Sequence, residues 1–267
     1  MKQKALFPKR TVYYLSERDD FMSLEENREL KIDRSYRYDR SSLFQRIGDF
    51  IAYRLIAAPC AFLYTKLKFS EHFIGKKKLR AYRNVGYFIY SNHTQPIADA
   101  FSPNILSFSK KNSVIINKQN LFLPVLGRHL KRLGALPLPE DLRAARSFTQ
   151  EVEARIRRGE AITVYPEAHI WEYYTGVRDF PVSCLELPVR CSAPVFTATR
   201  IYKQKGRRVV CDIYIDGPFS PDTSLSKREA QAKLKNEVYN AMLERSKLSS
   251  VDVIKYVKRT DSEHFSD

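Results

Sequence analysis

The stretch Gly86-Tyr87-Phe88-Ile89-Tyr90-Ser91-Asn92-His93-Thr94-Gln95-Pro96-Ile97-Ala98-Asp99 passes from an apolar run into a polar turn, then to a proline suited to the first turn of a helix. An apolar run this short is what a strand buried on both faces of a sheet requires. Runs of the same kind recur at Ser113 to Ile116, Ala161 to Tyr165, Pro194 to Thr199 and Val209 to Ile215. Helical patterns lie between and after them. Asp141 to Arg158 places Leu142, Ala145, Phe148, Val152 and Ile156 at helical spacing and stops at Gly159. Ser226-Lys227-Arg228-Glu229 is a capping box that opens a last helix through Ala230, Leu234, Val238 and Met242. Such alternation predicts an α/β domain with a mixed, largely parallel sheet flanked by helices.

In a sheet of this kind ligands gather at the carboxyl ends of strands. That puts His93 at a functional edge. Positions 93 and 99 do not share one face of a continuous helix, but a turn followed by a helix start can fold the imidazole over the carboxylate. A carboxylate that accepts a hydrogen bond from one ring nitrogen fixes the tautomer and leaves the other free to take a proton from an alcohol. Taken alone, the same residues are better read as satisfying a turn's backbone and capping a helix. A second polar cluster, Tyr165-Pro166-Glu167-Ala168-His169-Ile170-Trp171, follows another core strand and sets a carboxylate and an imidazole at the same edge. Two such clusters favour a site over two unrelated turns.

The chain of 267 residues is 43% hydrophobic and 12% aromatic, ample for a packed core, and carries a formal charge of +16. That charge attracts polyanions: nucleic acid, an anionic bilayer or a phosphorylated small molecule. Cys60, Cys184, Cys191 and Cys211 show neither CxxC nor zinc-ligand spacing, so reduced thiols in a cytosolic protein are expected, with no metal site. The amino end lacks the apolar stretch of a secretory signal. Four divisions are expected: a charged, poorly ordered arm at 1–41, a helical segment at 42–70, a catalytic domain at 71–250 and a tail at 251–267. The segment Leu43 to Phe69 is apolar but broken by Arg46, Asp49 and Arg54, and its uninterrupted part, Leu55 to Thr65, is too short to span a bilayer. A buried hairpin and a helix lying in the membrane interface both fit; Lys66, Lys68, Lys76, Lys77, Lys78, Arg80 and Arg83 beside it suit an anionic lipid surface.

Asn92-His93 with Asp99, Lys118, Leu133-Gly134, Tyr165-Pro166-Glu167 and Ala193-Pro194-Val195 occur in the order found in the glycerolipid acyltransferases, and the chain resembles that family over roughly residues 45 to 215. The type members are the 1-acylglycerol-3-phosphate (lysophosphatidate) acyltransferases; NHTQ with ADAF, YPEAHIW and YIDGPF looks like a bacterial branch. The resemblance implies an O-acyltransferase of phospholipid biosynthesis. His93 is then the general base and Asp99 its orienter, the helix end after Pro96 is an oxyanion donor, and acyl-CoA or acyl-carrier protein is the donor substrate, with no cofactor. Asn92, Glu167, Ala168, His169 and Pro194 become acceptor-site residues, and Lys118, Arg178 and Arg200 candidate phosphate contacts. A lipid acceptor favours the interfacial helix and a place at the cytoplasmic face of the membrane. Three departures stand out: five residues rather than four separate His93 from Asp99, Ala168-His169 replaces Gly-Thr, and Leu136-Pro137-Leu138-Pro139 occupies the place of an arginine. Rival readings are a lipid-binding relative with an inactive pair and a basic nucleic-acid-binding protein. The latter leaves both edge clusters unexplained.

Overall fold

The structure is a computed structural model that describes residues 7–22, 32–33, 36–38, 44, 48, 51, 58–96, 98–107, 110–122 and 127–259. Its centre is a seven-stranded sheet. In chain order its strands are β2 (Glu71–Ile74), β3 (Tyr87–Ser91), β4 (Asn112–Ile116), β5 (Leu136–Pro137), β6 (Ala161–Val164), β7 (Val195–Lys205) and β8 (Arg208–Phe219). Across the sheet they run β2-β8-β7-β3-β6-β4-β5. Every neighbouring pair is parallel except β7 and β8, which form the long antiparallel hairpin. The expected fold class is therefore the observed one.

Central β3 is buried at all five positions, which is why its sequence is a continuous apolar run. Its alternate side chains feed two cores. Phe88 and Tyr90 join Val195 and Ile162 under Phe148 and Val152 of α4 (Leu142–Arg157) and Leu234, Val238 and Met242 of α6 (Lys227–Ser246). Tyr87 and Ile89 join Phe196, Ala198, Ile213 and Ile215 on the other face, with Ala98 and Leu106 of α2 (Ala98–Leu106). Helix α1 (Ala58–Phe69) packs beside α2 on that side, and α3 (Gly127–Leu130) and α5 (Glu186–Cys191) complete the helices. Asp141 caps α4 by accepting from the Ala144 amide at 2.7 Å, and the Ser226–Glu229 capping box forms as expected. Where the end of α4 packs against the start of β3, Gly86 lies so close to the Ile156 carbonyl that a Cβ would come within 2.2 Å of its oxygen.

The two chain ends differ from expectation. Within the arm, β1 (Arg10–Tyr14) pairs in parallel with β9 (Ile254–Lys258), part of the expected tail, from Arg10 opposite Ile254 to Tyr14 opposite Lys258. Aromatic packing holds this clasp. Trp171 is fully buried among Tyr14, Phe21, Tyr174 and Tyr256, stacked on Tyr256 at 5.0 Å and 10°. The rest of the arm, the start of the 42–70 segment and residues 260–267 lie largely or wholly outside the described residues. No helix among the described residues is long and apolar enough to cross a membrane.

Candidate active site

The carboxyl ends of β3 and β6 are adjacent, because the two strands pair directly. The turn after β3 and the loop after β6 are therefore neighbours. They are also bonded: Trp171 N donates to the His93 carbonyl at 3.1 Å and Tyr173 N to the Thr94 carbonyl at 3.0 Å.

His93 Nδ1 lies 2.9 Å from Asp99 Oδ2. The extra residue between them is absorbed by a wrapped turn: the same carboxylate oxygen accepts from the Thr94 and Gln95 amides, each at 2.9 Å, while Asp99 N donates to the Gln95 carbonyl at 3.1 Å. Those two amides, which precede Pro96, are spent on Asp99, and in the helix start after Pro96 the Asp99 amide is turned to the Gln95 carbonyl. Asp99 is 1% exposed and His93 keeps 17% of its side chain accessible, so the carboxylate is sealed and the imidazole reachable. Since Nδ1 faces Asp99, Nε2 is the nitrogen that can accept a proton. The imidazole also stacks on Tyr165, with centroids 4.4 Å apart at 23°. Tyr165 in turn donates its hydroxyl to the Asp99 carbonyl at 2.6 Å, and burial holds that phenol well above its ordinary pKa, hence neutral. From β7, the Tyr202 hydroxyl meets Thr94 Oγ1 at 2.8 Å and Gln95 Nε2 at 3.1 Å, fixing the rest of the turn.

The structure revises several expected roles. Arg200 is no exposed phosphate contact: it is 2% exposed, its Nη2 sits 3.0 Å from Asp99 Oδ1 and its Nη1 pairs with Glu71 Oε1. The contact with Asp99 is a charge contact, not a well-aligned hydrogen bond. Burial alone would lower the Arg200 pKa, but Glu71 and Asp99 raise it, so the guanidinium stays charged. Arg178 is likewise buried, with Nη2 3.1 Å from Glu167 Oε2 and its guanidinium 4.7 Å from the Trp171 ring centroid. Glu167 does not line an open acceptor site. Its fully enclosed carboxylate accepts from the His93 amide at 3.3 Å and the Arg178 amide at 3.2 Å, which braces the backbone that carries His93. Burial pushes its pKa up and Arg178 opposes that rise. Asn92 is also enclosed, exchanging two hydrogen bonds with the Arg200 backbone at 2.8 and 2.9 Å.

Lys118 follows β4 at the expected edge, but its ammonium pairs with Glu140. Pro194 stands at the wrong end of the sheet. Its carbonyl accepts from Phe88 N at the start of β3, about 16 Å of strand away from His93 at ~3.3 Å per residue. Ala168 is exposed and His169 partly so, at the rim of the loop, where the His169 imidazole lies 3.1 Å from Asp20 of the arm. Among the described residues no cluster of three or more His, Cys, Asp or Glu side chains is placed to hold a metal ion.

A strand-end imidazole held by a buried carboxylate thus stands at the carboxyl end of the central strand of a largely parallel sheet. The family profile described as Acyltransferase matches residues 72–199, so that segment of the chain is similar to the acyltransferase family. Its fold is similar to the crystal structure of the 1-acyl-sn-glycerophosphate (LPA) acyltransferase PlsC from Thermotoga maritima. The two share a TM-score of 0.53 and 18% identity over 78% of this chain and 88% of that one. No curated protein matches the sequence.

Proposed function

We propose that the protein moves a fatty acyl group from acyl-CoA or acyl-carrier protein to the free hydroxyl of a lysophospholipid. A 1-acylglycerol-3-phosphate acceptor, giving phosphatidate, is the version that the likeness to PlsC favours. The 2.9 Å contact between His93 Nδ1 and Asp99 carries this reading. His93 Nε2 takes the hydroxyl proton as the oxygen attacks the thioester carbonyl. The new C–O bond forms, the C–S bond breaks, and the proton passes from the imidazolium to the departing thiolate. No resident cofactor enters the step. The Asp99 carboxylate behind the ring stabilises the imidazolium while it lasts.

Ala168 and His169, exposed at the rim, are the loop residues proposed to meet the acceptor. Product and acceptor are lipids, so the enzyme works at a membrane surface, and the exposed apolar side chains of α1 beside exposed Lys66, Lys77, Arg80 and Arg83 suit peripheral attachment. The intact His–Asp contact speaks against the inactive lipid-binding alternative.

The test is a transfer assay with purified protein against a panel of lysolipids and acyl donors. Wild type should acylate a lysophospholipid, and His93→Ala should lose about 10²–10⁴-fold in kcat/KM. Equal rates in both would end the mechanism. Salt-sensitive binding to DNA or RNA with no lipid-dependent activity would restore the nucleic-acid reading.

A further inference from the structure

Behind the His–Asp pair lies a second carboxylate, one that the mechanism does not use. Glu71, on β2, has a side chain 1% exposed, and Arg200 is shared between it and Asp99. Ser102 of α2 ties the group together: its hydroxyl lies 2.9 and 3.0 Å from the two Glu71 oxygens and 3.0 Å from Arg200 Nη2. Two carboxylates and one guanidinium leave a net charge of about −1 in a buried site. Stability gives no reason for that arrangement, since apolar side chains of similar volume would serve a core as well or better.

We propose that Glu71 is a positioning residue for the transfer, acting through Arg200 on Asp99 and His93; this rests on the reading of His93 as the base. With Glu71 absent, the guanidinium would face Asp99 alone and cancel the charge that the imidazolium needs. With Glu71 present, Arg200 is held in place and largely neutralised from behind. Asp99 keeps its full effect on the ring. When His93 takes the acceptor's proton, the four groups reach neutrality, so the charged intermediate is favoured in a low-dielectric site. The other charged or titratable groups around the ring do not supply this balance. Tyr165 and Tyr202 are buried phenols held neutral, Cys211 of β8 is a thiol pushed up to about 12 by burial, and Glu167 is paired with Arg178.

The experiment measures two things on the full chain. One is the imidazole titration of His93 by NMR, assigned by its loss in His93→Ala. The other is the pH profile of kcat and KM for acyl transfer. Glu71→Gln keeps the shape and a hydrogen-bond acceptor for Arg200 but removes the charge. Its His93 midpoint should fall by about one pH unit, since the imidazolium loses a favourable charge. The acid limb of kcat/KM should move down with it, and kcat should drop about tenfold with KM little changed. Glu71→Asp keeps the charge, so its midpoint should stay at the wild-type value while kcat falls because Arg200 is held less well. Glu71→Gln titrating as wild type overturns the proposal, as does a midpoint that falls equally in Glu71→Asp. If Glu71→Gln fails to fold, Glu71→Asp decides: reduced kcat at an unmoved midpoint supports the role, and wild-type behaviour in both overturns it. The titration needs no turnover. Absence of transfer in the wild type would therefore sink the acyltransfer reading while the charge coupling is still measured.

Discussion

Ala168 sits at φ +64°, a left-handed conformation that costs an alanine about 1 kcal/mol and a glycine almost nothing. The His169 amide donates to the Glu167 carbonyl at 2.8 Å across it, a three-residue γ-turn, which is why the backbone reverses at this point. Ala168→Gly should therefore raise the unfolding free energy by about 0.5–1 kcal/mol, less the extra unfolded-state freedom of glycine, and Ala168→Val should lower it. Denaturant titration of the three proteins checks the order; a less stable glycine variant would refute the strain. The position also shows what sequence could tell. The replacement of glycine by alanine is visible there, but the strained turn is not. The same limit explains the reassigned arginines: a sequence shows that Arg178 and Arg200 are charged, not that Glu167 and Glu71 enclose them from 11 and 129 positions away. Tyr165 stood inside a recognised motif, and the stack beneath His93 is simply what its ring does there. Glu71 had no sequence signal, because its partner lies on another strand.

The elements that the sequence revealed are those whose burial is local and complete. β3, β4, β6, β7 and β8 are each found within a few residues of the expected apolar runs, and α4 and α6 follow their caps. β1 and β9 escaped, because each is a half-exposed strand of mixed polarity whose ladder partner among the described residues is the strand near the other chain end. β2 escaped for a related reason: it is four residues long and lies at the sheet's edge. At this scale Asp216 of β8 is a carboxylate with two basic partners from other elements. It accepts from Arg245 of α6 at 2.7 and 2.9 Å and from Lys78 at 3.0 Å, joining the end of a helix and the turn after β2 to one strand. The Arg245 hydrogen bond, with help from Lys78, lowers its pKa below the ordinary 3.8. A carboxylate depressed in the folded state adds stability above its unfolded value, and loses it as pH falls through the folded one. Stability should thus decline below about pH 4 in part through this group. Asp216→Asn should be less stable than wild type at pH 6 and should show a shallower decline from pH 4 to 2, read as unfolding midpoints against pH. Parallel curves for the two proteins would remove Asp216 from the acid limb.

At the scale of the whole molecule, one face of the sheet is closed by α4 and α6, and the other by α2 with α1 outside it. Helix α1 turns large apolar side chains outward: Phe62, Leu63 and Leu67 are 53, 59 and 75% exposed, while Thr65 is buried. A helix fully committed to the core would not leave three large side chains in water, and exposed basic residues follow it in the chain, which is the basis for proposing an anionic lipid surface as its partner. The clasp between β1 and β9 changes how membrane attachment has to be tested. Deleting residues 1–70 would remove β1 together with Glu17 and Asp19, whose carbonyls accept from Arg178 and Trp171, and so would disturb the active-site loop as well as any anchor. The cleaner variant replaces Phe62, Leu63 and Leu67 with aspartate in the intact chain, since these side chains contribute little to the core. Flotation with vesicles containing an anionic phospholipid should show wild type bound and the triple variant at least tenfold weaker, because it loses apolar burial and gains three like charges against the bilayer. Its transfer to a short-chain, water-soluble lysolipid should be within about twofold of wild type, since none of the three residues is among those that hold His93. Undiminished flotation would place the membrane contact elsewhere on the molecule, whereas loss of soluble-substrate activity together with flotation would show that α1 supports the site and is not a separate attachment surface.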